Sequence, residues 1–78
     1  STGNVGIGDS TPSSTLSVDG GVQIGNDTAT SAVDLYNKVG TFRYRTYSDA
    51  SFDYSAIDVC MQDGATDYNW VNVVTNRW

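Results

Sequence analysis

The chain has 78 residues, 38% of them apolar and 17% charged, with nine Asp against four Lys and Arg for a net charge of −5. Both fractions fall below the globular averages of about 45–50% and about 25%, and Ser, Thr, Asn and Gly fill the difference. No apolar run approaches the roughly 18 residues of a membrane helix, four cations cannot neutralise many nucleic-acid phosphates, and a chain with no His, no Glu and one Lys lacks most acid–base catalysts.

The first third alternates at period 2. Val5 and Ile7 share one face of a short extended segment, with Gly6 and Gly8 on the other. Residues 9–14, with Pro12 fixing φ and Asp9 and the hydroxyls free to bond local backbone, read as a turn. Leu16 and Val18 repeat the alternation, Gly20-Gly21 interrupts it, and Val22 and Ile24 resume it before Gly25-Asn26. Each strand offers two aliphatic side chains, too few for a stable free hairpin. The opposing glycines let backbones approach closely, so copies wound about an axis would bury these aliphatics in a thin dry centre. Residues 1–26 are therefore expected to form an intertwined β shaft, and residues 27–78 a second unit.

Helical spacing of Ala29, Ala32, Val33, Leu35 and Tyr36 predicts one short helix near residues 30–38, capped by Asp27, Thr28 or Thr30 and closed by Gly40. Leu35 is its expected buried residue. From Thr41 the pattern predicts a three-stranded antiparallel meander over about 41–47, 52–62 and 68–75, with Asp63-Gly64 as the strongest turn signal. Phe42, Tyr44 and Thr46 share a face of the first strand, and Arg43, Arg45 and Tyr47 the other. In the second, Ile57, Val59 and Met61 oppose Tyr54, Ala56, Asp58 and Cys60. Strict alternation in the third separates Tyr68, Trp70, Asn72 and Val74 from Asn69, Val71, Val73 and Thr75. The fold class is thus mainly β with one short helix.

A chain this short buries only about 60–65% of its unfolded surface. The lone Cys60 cannot form an internal disulfide, and without His a structural zinc site has no ligand set. Stability is expected from association between copies, through Val5, Ile7, Leu16, Val18, Val22 and Ile24 of the shaft and Leu35, Phe42 and Tyr44 beyond it.

Gly3-Asn4-Val5-Gly6-Ile7-Gly8, then Pro12 and Leu16-Ser17-Val18-Asp19-Gly20, resemble an NVGIG-x-x-x-P-x-x-x-L-x-V-x-G motif of bacteriophage tail fibres, tailspikes and related adhesive proteins. Asp9 departs from it, standing where a small hydroxylated residue is usual. The stretch Gly40-Thr41-Phe42-Arg43-Tyr44-Arg45, then Val59-Cys60-Met61-Gln62, Gly64, Trp70 and Trp78, is similar to the C-terminal region of such fibres. The resemblance implies a homotrimer in an extracellular virion appendage, partnered by other virion proteins and by a host-surface glycan or protein. A capsid decoration or receptor-binding tip protein, or the non-catalytic stem of a polysaccharide-degrading tailspike, is the alternative. The opening on Ser1, with no charged and apolar leader, fits a piece of a longer polypeptide.

Candidate chemistry is sparse. The acids do not fit a calcium loop, and Asp63 to Asp67 reads as a turn. Cys60 has no base to activate it and reads as a buried thiol. Arg43 and Arg45 are expected to pair with Asp58 or Asp53. No catalytic residue, metal ligand or cofactor site is expected. Tyr47, Tyr68 and Trp78 are the candidate receptor contacts, because exposed aromatics stack on sugar rings or anchor protein contacts.

Overall fold

The computed structural model describes residues 3–78, so the first two positions of the expected 1–26 segment lie outside the described residues. In chain order the elements are β1 (Val5–Ile7), β2 (Leu16–Val18), α1 (Ala32–Asn37), β3 (Phe42–Ser48), β4 (Asp53–Gln62) and β5 (Tyr68–Arg77). The chain is mainly β with one short helix.

Strands β1 and β2 pair in parallel, not as a hairpin, with Val5 opposite Leu16 and Ile7 opposite Val18. The connection between them folds back on itself. Asp9 holds it: one carboxylate oxygen accepts from the Thr11 amide at 3.0 Å and the other from the Ser17 hydroxyl at 2.5 Å. The Asn4 amide donates to the Pro12 carbonyl at 3.3 Å. Gly6 lies under this loop, where a Cβ would overlap the Asp9 carbonyl oxygen. The residue at which the chain departs from the fibre motif is therefore the one that ties its loop down.

The expected third shaft strand does not form. Val22, Gln23 and Ile24 are irregular. The segment instead runs beside the free edge of β3, where the Gly25 carbonyl accepts from the Tyr44 amide at 2.9 Å.

Helix α1 starts later than its expected caps. Ser31 is the N-cap and accepts from the Asp34 amide at 3.2 Å. Asp27 is occupied elsewhere, accepting from the Ala29 amide at 3.0 Å and pairing with Lys38 at 2.7 Å. Gly40, at φ 91°, turns the chain out of the helix and donates its amide to the Cys60 carbonyl at 2.8 Å.

The main sheet has the order β3-β4-β5 with both pairs antiparallel. Asp49 shapes the first turn by accepting from the Ser51 and Phe52 amides, both at 2.8 Å. In the second, the Asp63 amide donates to the Asp67 carbonyl at 2.9 Å. One irregularity matters. Ile57 faces Val74 while Asp58 faces Asn72, so Val73 is an extra residue in β5. This bulge moves Val74 to the face of Val71 and Thr75 to that of Asn72, against the strict alternation the sequence suggests.

The helix and residues 27–31 cover one face of the sheet. Leu35, Ala56 and Cys60 are the buried apolar residues there, at 6%, 2% and 0% exposure. The molecule is flat, 50 × 35 × 16 Å, with a radius of gyration of 15.9 Å. A close-packed domain of this length would have about 11–12 Å. Its accessible surface of 5709 Å² is also well above the roughly 4600 Å² of a compact monomer of this mass.

Candidate interaction surface

The two faces of the β3–β4–β5 sheet differ in chemistry. The covered face centres on Asp58, 1% exposed. Its carboxylate accepts from Arg43 Nε at 2.8 Å, Arg45 Nε at 2.5 Å and Asn72 Nδ2 at 3.1 Å. Burial pushes this carboxyl's pKa up, but the hydrogen bonds from Arg45, Asn72 and Arg43 and the Arg45 charge outweigh it and hold it at about 2. Arg43 also donates to the Asp27 carbonyl at 3.0 Å and lies 4.2 Å over the Trp70 ring. Trp70 in turn donates its indole N–H to the Ala29 carbonyl at 2.9 Å. The arginines thus pair with Asp58, as expected, and Arg43 together with Trp70 fixes residues 27–29 onto the sheet. Cys60 donates to the Leu35 carbonyl at 3.3 Å, completely buried.

The opposite face carries two cross-strand rows, Phe42–Val59–Val71 and Tyr44–Ile57–Val74. Among the described residues nothing covers most of it: Phe42 is 57% and Val74 55% exposed. Two shallow apolar hollows lie here and share Tyr44 and Ile57. The larger, about 290 Å³, is walled by Val22, Gln23 and Ile24, and the smaller by Ser55, Ala56, Val74 and Asn76.

The expected interface residues fall into three places. Val22, Ile24, Phe42 and Tyr44 come together on the open side of the main sheet. Val5, Ile7, Leu16 and Val18 share one face of the β1–β2 pair, and the first three are more than half exposed. Leu35 is corrected: buried under the chain's own helix against the opposite face, it has almost no surface to offer another copy. Ile57, Val59, Val71 and Val74 belong to the open face but were not singled out. Their cross-strand alignment with Phe42 and Tyr44 depends on pairing and on the bulge, which periodicity in one strand does not reveal.

The three candidate receptor contacts do not form one site. Tyr47 stacks on Tyr54 at 4.8 Å near the Asp49 turn, with Arg45 4.6 Å from its ring. Trp78, 63% exposed, lies at that same end, exchanging backbone hydrogen bonds with Asp53. Tyr68 pairs with Gln62 at the far end of β4 and meets Tyr36 edge-on at 5.3 Å. Eight residues of strand, about 27 Å, separate the two ends.

Among the described residues no group of three His, Cys, Asp or Glu side chains is placed to hold a metal, and no helix is long and apolar enough to cross a membrane. No protein-family profile, curated protein or solved structure matches the chain.

Proposed function

We propose that the chain is a structural module of a phage tail fibre or spike that acts as a homotrimer, joins copies of the fibre and contributes to host attachment. The observation that carries this reading is the imbalance of burial. Three apolar side chains are buried among the described residues, while Phe42, Val5, Ile7 and Leu16 are more than half exposed. Apolar surface of that extent on a small chain marks a site of protein contact. The NVGIG-type opening supplies the choice of fibre and of three copies. In this reading the module is not an enzyme and takes no cofactor, and Tyr47 and Trp78 at one end of the sheet are its attachment residues.

Sedimentation equilibrium on the 78-residue chain tests the proposal. The expected result is a species of three times the 8.4 kDa chain mass. A folded single chain at micromolar concentration overturns it. A receptor-binding tip is the second reading, favoured by the exposed Arg77–Phe52 and Tyr47–Tyr54 pairs gathered at the end that holds Trp78. Glycan-array binding that Tyr47→Ala and Trp78→Ala abolish, with assembly intact, would support it.

A further inference from the structure

We infer that the open face of the β3–β4–β5 sheet, centred on the Phe42–Val59–Val71 and Tyr44–Ile57–Val74 rows, is the surface on which a second copy of this chain is seated. This rests on the self-association reading and adds to it the face that associates.

Three observations select a second copy as the occupant. The first is charge. The chain carries −5, so two copies can approach closely only where carboxylates are absent. The two rows hold no charged residue, and the adjacent row, Thr46–Ser55–Asn76, is polar but neutral. Four of the exposed carboxylates flank this surface along the strands: Asp49 and Asp53 at one end, Asp63 and Asp67 at the other. A basic partner would find its complement on that rim and not in the centre, whereas a like-charged copy finds a neutral approach in the centre.

The second observation is area. The accessible surface of 5709 Å² exceeds that of a compact monomer of this mass by about 1100 Å². A standard interface takes roughly 800 Å² from each partner. Taken over the whole chain, the excess is of the size that one such contact covers. The third is shape. The two hollows on this face open beside Tyr44 and Ile57, and Phe42, 57% exposed, projects from the same face, so the face offers both recesses and a large side chain to a neighbour.

The bulge at Val73 decides which residue completes the second row: strict alternation would put Val73 opposite Ile57, and the extra residue puts Val74 there instead.

The test uses the 78-residue chain and two measurements. Sedimentation equilibrium compares it with Phe42→Asp/Val74→Asp, which alters two side chains that are more than half exposed in one copy. The expected result is loss of the oligomer with the β signature retained in circular dichroism. Val33→Asp, on the helix and 71% exposed, should leave the oligomer intact. Hydroxyl-radical footprinting of the unaltered protein gives an answer that does not depend on the variant folding. Phe42, Tyr44 and the sole methionine, Met61, should be modified about tenfold more slowly in the assembly than Tyr36, relative to intrinsic reactivity, because oxidation follows exposure. An unaltered chain that sediments as one copy overturns the self-association reading itself. An oligomer that survives both aspartates, or whose Phe42 and Tyr44 label as freely as Tyr36, overturns this inference alone and leaves assembly to the β1–β2 aliphatics.

Discussion

Asp58 is the carboxylate that solvent does not reach, 1% exposed and bonded to Arg43, Arg45 and Asn72. Removing one partner of a buried ion pair leaves the others uncompensated and costs about 3–5 kcal/mol. Asp58→Asn is expected to lower the urea midpoint by the equivalent of that loss, with Arg43 and Arg45 left facing each other. The same group sets an acid limit. Its folded carboxyl takes up a proton near pH 2, the unfolded one near pH 4. Its contribution is complete above about pH 4 and disappears as pH falls toward 2, worth about 2.5 kcal/mol at 1.36 kcal/mol per pKa unit. Urea titrations at pH 5 and pH 2.5 should show the drop, and Asp58→Asn should reduce it. The exposed Asp9 carboxyl, lowered by the Ser17 hydroxyl and the Thr11 amide, and Asp49, lowered by the Ser51 amide, the Tyr54 hydroxyl and the Phe52 amide, add in the same direction.

The strands and helix owe different amounts to local sequence. The three meander strands lie within two residues of where alternation and turn chemistry put them, because turn signals at Asp49 and at Asp63-Gly64 bound the β-rich run of β4 on both sides. Leu35 was legible as buried from the helical spacing of Ala32, Val33, Leu35 and Tyr36, of which it alone is buried. What sequence did not carry is pairing. Parallel β1–β2 pairing depends on Asp9 reaching back to Ser17, a contact eight residues long. The Val73 bulge depends on where β4 places Ile57 and Asp58. Of the open sheet face, Phe42 and Tyr44 were visible in one strand, while the residues of β4 and β5 that complete it needed the register. Gly6→Ala tests the β1–β2 unit. A Cβ there overlaps the Asp9 carbonyl, and overpacking of this kind costs about 1–3 kcal/mol. Amide exchange of Val5 and Asp19, which bond across this pair, should accelerate, with β4 amides unchanged. Ser31→Ala removes the helix cap and should cost about 1 kcal/mol in chemical unfolding.

At the scale of the whole molecule, a flat two-layer body with a wide apolar side should gain stability from its own concentration. If copies share that side, the thermal midpoint rises with protein concentration, because binding stabilises only the folded form; a midpoint constant over a hundredfold dilution would contradict shared folding. Charge should modulate the same equilibrium. Copies at −5 repel, and salt screens that repulsion beyond about 10 Å at 0.1 M. Sedimentation in 20 mM and 300 mM salt should show the tighter assembly at the higher value. Cys60 has a further consequence here. Its sulfur is sealed beneath α1 with no exposed surface, so air oxidation cannot staple folded neighbours together. Ladders on a denaturing gel that vanish with reductant would therefore report chains that had already opened, which makes the lone thiol a ready gauge of how much of a preparation is intact.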